Sequence, residues 1–250
     1  MNVILGCEES QALCIEYRKL GHNAYSCDLQ PCSGGHPEWH FQMDIMTVIK
    51  GGKLITQDGT VVFIEKWDQG IFFPTCTYLT LTANKWFKDQ PKRKSGALVG
   101  KERRDARDKA LQFVCDLMNC DIEQTAIENP VGVIGSRIFD VTELFGPKKW
   151  KVFNLENNKS GRSPDQIIQP FHFGHPEPKQ TCLWLKGLPR LRPTNIVEPK
   201  YHITKSGKRM PEWYAYADKS KGQEHRAKIR SKTFSGIAKA MAEQWGGKIN

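Results

Sequence analysis

The stretch Trp67-Asp68-Gln69-Gly70-Ile71-Phe72-Phe73-Pro74-Thr75-Cys76-Thr77 decides how this 250-residue chain is read. From Gly70 it is wholly apolar up to Pro74, as a strand covered on both faces must be, and such strands belong to parallel sheets flanked by helices. Proline then ends the ladder and stiffens the turn that follows. A second segment, Thr125-Ala126-Ile127-Glu128-Asn129-Pro130-Val131-Gly132, places a carboxylate at the end of another short strand. Open α/β sheets put their ligands and reactive groups just past the carboxyl ends of strands, which is where Cys76 and Glu128 fall.

Working outward, Val3-Ile4-Leu5 reads as a first strand ended by Gly6, and Ser10 or Glu9 can cap a helix that presents Ala12, Leu13, Ile15, Tyr17 and Leu20 and closes at Gly21. Residues 23–27 form a second strand ending at Asp28. A Pro/Gly-rich loop, 30–39, precedes His40 to Asp44 and a short helix over 45–50. Residues 51–66 read as a hairpin turning at Asp58-Gly59. The charged stretch 85–109 is a loop or the solvated start of a helix that continues over 106–120 with Ala110, Leu111, Val114, Leu117 and Met118 on one face. Strand and helix alternating in this way predict βαβ units and a mostly parallel sheet. Over 146–211 prolines become frequent and Phe153, Phe171, Phe173 and Trp184 interleave with lysine and arginine. That stretch reads as a small appended lobe, its aromatics mostly packed as a core, with Cys182 to Leu185 a return strand. A final amphipathic helix, 230–244, carries Ile237 and Met241.

Length suits one sizeable domain. No apolar run approaches the roughly 20 residues of a membrane helix, and the N-terminus lacks the pattern of a secretory signal, so the expected setting is cytoplasmic, without a membrane partner and as a monomer. The eight cysteines then read as thiols, with Cys14, Cys115 and Cys120 as small core residues. A net charge of +10 points to a polyanionic partner, nucleic acid above all.

Each candidate residue has a plainer alternative. Cys76 is a nucleophile once deprotonated, or a small residue in a turn. Glu128 is functional, or a capping or ion-pairing carboxylate. Cys27, Cys32, His36 and His40 are ligand types that suit tetrahedral zinc, but they flank Asp28 in a loop that as readily lines a substrate entrance, so zinc is not favoured. His172, His175 and Cys182 make a weaker set.

Together, Pro74-Thr75-Cys76 and Glu128-Asn129-Pro130 resemble the Pro-Cys and Glu-Asn motifs of the DNA cytosine-5 methyltransferase family, in the family's order. The stretch Cys27-Asp28-Leu29-Gln30-Pro31-Cys32-Ser33-Gly34-Gly35-His36-Pro37-Glu38-Trp39-His40 looks like a compact, phage- or prophage-encoded branch of it. The resemblance implies a doubly wound, mostly parallel, Rossmann-like sheet of the S-adenosylmethionine-dependent methyltransferase type. Residues 1–145 and 212–250 would be the catalytic core, and 146–211 the target-recognition lobe. It implies methyl transfer from S-adenosylmethionine to carbon 5 of cytosine in DNA. In that family the thiolate adds to carbon 6 of a base extruded from the duplex, or presented on a single strand. Cys76 would be that nucleophile, with Glu128, and Asn129 beside it, activating the ring.

The cofactor would lie near Gly6, Cys7, Glu8, Ser10, Asp28, Asp44, Phe73 and Pro74. Thr233-Phe234-Ser235-Gly236-Ile237-Ala238-Lys239-Ala240 is similar to the final family motif, which packs back against that site. The chain departs from the family at Thr75, at Pro130 and in an acidic, polar loop over 6–11 where glycines are usual. It has no clear Gln-x-Arg-x-Arg motif, so Arg104, Arg107, Arg162 or Lys179, with Thr75 and Thr77, would have to contact the substrate. Three alternatives stay open: the same chemistry on a free cytosine nucleotide, a DNA-binding or decoy protein without turnover, and a zinc-dependent nucleic-acid module.

Overall fold

The apolar run after Asn2 forms an interior strand of a seven-stranded sheet in the computed structural model, which describes residues 1–81, 84–140, 150–152, 161–215 and 233–247. Strand β1 (Asn2–Gly6) leads into helix α1 (Ala12–Lys19), and β2 (Asn23–Asp28) lies parallel beside β1. β3 (His40–Gln42) extends the sheet beyond β2, and α2 (Ile45–Val48) follows it. The expected hairpin is present as β4 (Gly52–Ile55) and β5 (Val61–Ile64). Its turn is held by the Asp58 carboxylate, which accepts hydrogen bonds from the Thr60 amide and the Thr56 hydroxyl, while Gly59 supplies a φ of 91°.

The chain then returns to the other side of β1 with β6 (Gln69–Phe72), runs through α3 (Gly100–Met118), and adds β7 (Gln124–Pro130) parallel to β6. This reversal between β1 and β6 is a topological switch, the place beyond the carboxyl ends of the strands where open α/β sheets bind their ligands. After α4 (Ile134–Arg137) and a small pair, β8 (Ile138–Asp140) with β9 (Trp150–Val152), the sheet is completed by β10 (Gln166–Ile168) and β11 (Thr181–Lys186). The order is β10-β11-β7-β6-β1-β2-β3, in which only β11 runs against the rest.

Alternation along these strands makes two cores. Val3, Leu5, Ile71, Ala126 and Leu183 pack with Leu13 and Tyr17 of α1 and with Ile237 and Met241 of α6 (Ser235–Met241). Ile4, Phe72, Ile127, Cys182 and Trp184 meet Leu111, Val114 and Leu117 of α3 on the opposite face. The mixed α/β sheet expected from the sequence is therefore covered by helices on both sides. The charged start of α3 is helical, not a loop, and precedes the apolar pattern by six residues. Burial of Leu111, Val114 and Leu117, at about 1.5–3 kcal/mol each, anchors the helix, and its first turns are held by buried Arg103 and Arg107, which lie over the Phe87 ring.

Two expectations are corrected. The 146–211 stretch is not an appended lobe throughout, since β10 and β11 lie within it and belong to the main sheet. The reason is visible in Cys182-Leu183-Trp184, an apolar run that is buried on both faces. Phe173 and Trp184 are core residues as expected, whereas Phe153 and residues 146–149 lie outside the described residues. Helix α1 is not capped by Ser10 or by Glu9. The buried Glu8 carboxylate accepts from the Leu13 and Cys14 amides (2.7 and 3.3 Å), and Gln11 precedes the helix at φ 58°. Among the described residues no helix is long and apolar enough to cross a membrane.

A separate antiparallel ribbon, β12 (Tyr201–Ile203) with β13 (Arg209–Pro211), stands outside the main sheet and leads into the helical turn α5 (Glu212–Ala215).

Candidate active site

Register places the two singled-out residues on neighbouring parallel strands. Phe72 pairs with Ile127, so Phe73 and Glu128 leave the ladder side by side. Pro74 is buried, Cys76 half-buried, and Thr75 and Thr77 exposed on either side of it. The turn is tight, with the Cys76 carbonyl accepting from the amides of Leu79 and Thr80 (3.0 and 3.2 Å).

Three contacts seat this turn on the end of β7. The buried Asn129 side chain donates to the Pro74 carbonyl at 2.7 Å, the Val133 amide donates to the Leu79 carbonyl at 2.8 Å, and Thr80 bridges to Gly132. A Cβ on Gly132 would lie 2.0 Å from the Leu79 oxygen, so only glycine permits that approach. Asn129, read as catalytic from its motif, is on this evidence a residue that positions the cysteine turn.

Glu128 points to the α6 face of the sheet, into a cleft lined by Phe73, Lys179, Thr181, Thr233, Phe234 and Met241. Burial raises its carboxyl above the ordinary carboxylate range, partly offset by the Lys179 cation and a hydrogen bond from Thr181. The carboxyl therefore holds its proton to higher pH than a solvated glutamate, the property a general acid needs. Lys179, among the expected substrate contacts, thus meets Glu128, with its Nζ 5.8 Å from the centre of the Phe234 ring. Thr181 and Phe234 were not singled out as site residues by the sequence reading. For Phe234 a signal existed in its place within the C-terminal motif, whereas Thr181 is ordinary until β11 is placed beside β7.

The expected arginine contacts are elsewhere. Exposed Arg104 pairs with Asp89 at 3.0 Å and donates to the Phe87 carbonyl. Arg107 lies over Phe87, its guanidinium carbon 3.5 Å from the ring centre. It donates from Nε to the Tyr78 carbonyl at 2.7 Å and from Nη2 to the Thr80 carbonyl and Asn84 Oδ1. Desolvation, with Arg137 and Arg103 nearby, lowers its guanidinium to about 10. Both arginines are corrected from substrate contacts to supports of the segment after Cys76, because these carbonyls, left without a ladder partner past the strand, need donors. Arg162 is likewise engaged away from the site, in an ion pair with Asp165.

Of the residues expected around a cofactor, Cys7, Asp28 and Asp44 come together beyond β1, β2 and β3. The Cys7 thiol is pushed up to about 12 by burial and by those two carboxylates. Asp28 ends β2, and exposed Asp44 caps α2 through the Met46 amide. Ser10 is half-buried in the same turn, and Gly6 packs so closely on Phe72 and Ile45 that a Cβ would lie 2.6 Å from the Phe72 ring. Glu8 is corrected: its carboxylate is buried and bound to the start of α1, so it does not face the crevice.

The residues with zinc-like spacing are not gathered. Cys27 lies in the core with its sulfur 3.2 Å from the Met43 carbonyl, both ring nitrogens of His40 are engaged by Ser26 and by the Gln30 carbonyl, and His36 stacks on Trp39 at 3.9 Å. Strand pairing of β2 with β3 draws Cys27 and His40 into the ladder, which leaves the loop residues Cys32 and His36 without them. Among the described residues no group of three histidine, cysteine or acidic side chains could hold a metal.

No family model matches the chain, and no curated protein does. Among solved structures it is similar to one from Escherichia coli described as a "putative DNA modification methyltransferase encoded within prophage Cp", at 12% identity and a TM-score of 0.37, over 79% of this chain and 52% of that one. The chain spans about half the length of that structure. A likeness of this size does not establish a shared fold, and the site is read from its own residues.

Proposed function

We propose that the chain transfers a methyl group from S-adenosylmethionine to carbon 5 of cytosine in DNA. The observation that carries this reading is the junction of the two strand ends: a half-exposed cysteine on a rigid turn, tied through Asn129 to the residue next to an enclosed, proton-retaining glutamate. A thiol and a carboxylic acid held on adjacent strands suit addition across an electron-poor double bond.

In the proposed sequence the Cys76 sulfur bonds to carbon 6 of the ring while Glu128 donates its proton toward the ring nitrogen, which leaves carbon 5 nucleophilic. The cofactor supplies the methyl group to that carbon. Loss of the carbon-5 proton to solvent, expulsion of the Cys76 thiolate and return of the ring-nitrogen proton to Glu128 then restore the aromatic ring and the acid. Lys179 tunes the acid, and Phe73 and Phe234 give the cleft apolar walls.

The donor set at the crevice fits such a cofactor. Asp28 and Asp44 offer acceptors for ribose hydroxyls and an adenine amine, while Phe73 and Pro74 close the apolar side. The amides at the start of α1, which in dinucleotide enzymes meet a phosphate, are occupied by the chain's own Glu8, as suits a cofactor without phosphate.

The test is trapping with a 5-fluorocytosine oligonucleotide in the presence of S-adenosylmethionine. We expect a covalent adduct that disappears in Cys76→Ala, while calorimetry shows that this variant still binds the cofactor. Methylation at the wild-type rate in Cys76→Ala would overturn the mechanism. Uptake of methyl into dCMP and not into DNA would replace the polymer by a free nucleotide, and cofactor-independent DNA binding without adduct would leave a binding protein.

A further inference from the structure

We propose that the ribbon of β12 and β13 grips the phosphate backbone of DNA and holds it beside the Glu128 cleft, an inference that rests on reading the chain as one that acts on DNA. Between Pro199 and Pro211 the sequence places Lys200, Lys205, Lys208 and Arg209 and no acidic residue. All four cations are exposed. Among the described residues the ribbon's strands pair only with each other, apart from the main sheet, and make a cationic finger.

The finger is stiff and well rooted. Its turn is closed by the Thr204 amide on the Lys208 carbonyl and by the Lys208 amide on the Thr204 hydroxyl, both at 3.0 Å, with Gly207 at φ 75°. The Arg209 guanidinium lies over the Tyr201 ring at 3.6 Å, which fixes one charge at the ribbon's side. At the base the Lys200 amide donates to the Pro176 carbonyl at 2.8 Å and Trp213 Nε1 to the Pro178 carbonyl at 3.5 Å. That same segment holds the start of α6 through His175, whose Nε2 accepts from the Gly236 amide at 2.9 Å, and next supplies Lys179 to the Glu128 cleft. The ribbon is thus fastened to the backbone one residue from a wall of the site.

The side chains it offers decide what it would touch. Between Tyr201 and Pro211 there is no asparagine, glutamine or acidic side chain to read base edges, and Arg209, which could read guanine, is stacked on Tyr201, whereas the exposed lysines suit phosphate oxygens. The contact would be independent of sequence and would position the strand.

The experiment compares the intact chain with Lys205→Ser/Lys208→Ser, following duplex binding by fluorescence anisotropy as salt is raised. Each phosphate contact contributes about 0.9 to the slope of log K against log salt, so the double variant should lose roughly 1.8, equally on duplexes of unrelated sequence. Lys50→Ser/Lys53→Ser, with the same charge removed at the far edge of the fold, should keep the full slope. Cofactor calorimetry checks that both variants are folded. An unchanged slope in the ribbon variant, an equal loss in the Lys50/Lys53 control, or an effect on one sequence alone would overturn the proposal. The same double variant tested on the single strand shows whether the grip needs a duplex. A wild-type chain that forms no 5-fluorocytosine adduct while the ribbon variant still loses slope would sink the cytosine chemistry and leave the ribbon's role standing.

Discussion

Arg107 shows what a single residue can do for a site it does not enter. Its guanidinium collects the Tyr78 and Thr80 carbonyls and the Asn84 side chain, all within eight residues after Cys76, and rests on Phe87. Hydrogen bonds to a charged donor contribute roughly 1.5–3 kcal/mol each, so Arg107→Ala should free the far limb of the cysteine turn. We expect it to slow adduct formation at saturating DNA by at least about tenfold, since about 1.4 kcal/mol of lost positioning suffices for that. Cofactor affinity should stay near wild type, and Arg107→Lys should recover part of the rate through Tyr78. Normal adduct rates in Arg107→Ala would remove the positioning role. The sequence made Cys76 and Glu128 legible because a reactive residue at the carboxyl end of an apolar strand is a local pattern, although only Cys76 lies beyond its strand while Glu128 is still paired within β7. It did not make Arg107 legible, because its partners are backbone oxygens, which carry no residue identity.

Helix α1 carries its own buried carboxyl group, and this determines both its start and its response to pH. The Glu8 carboxylate takes the place of a capping side chain, and burial pushes it up to about 8 against the pull of the Leu13 and Cys14 amides. In the unfolded chain the same group titrates near about 4.3. A carboxyl whose folded value is raised contributes its full share of stability below the unfolded value, and that share is lost as pH rises toward about 8. The thermal midpoint should therefore fall between about pH 5 and pH 8 more steeply in the intact chain than in Glu8→Gln, whose amide oxygen can still accept from Leu13. Parallel pH profiles of Tm for the two proteins would show that Glu8 is not the titrating group. Sequence reading placed the helix correctly and its cap wrongly. Ser10 and Glu9 have the favoured chemistry next to the first turn, but Gln11 in the left-handed region turns the backbone so that Glu8 reaches the amides instead.

Across the whole molecule, the first half of the sheet was readable because each strand there is followed by its own helix or turn, and periodicity changes with each element. The second half was not, because β10 and β11 are short, separated by prolines and joined to the sheet by pairing with distant β7. An apparent lobe is in fact the edge that completes the site: six residues of β11 pair with Thr125 to Pro130, and Thr181 and Lys179 reach Glu128 from it. Removing β11 would uncover the β7 ladder and expose Leu183 and Trp184's partners in both cores at once. A chain in which residues 166–186 are replaced by a short glycine–serine linker should for that reason lose its cooperative unfolding transition, not merely its affinity for DNA. An independent lobe would behave otherwise, since its loss would leave a folded core that still binds S-adenosylmethionine with one sharp urea transition, at a midpoint close to that of the intact chain. The two outcomes differ in a denaturation curve alone, and the six-residue pairing that carries Glu128 on one strand and its modulating residues on the next favours loss of the fold.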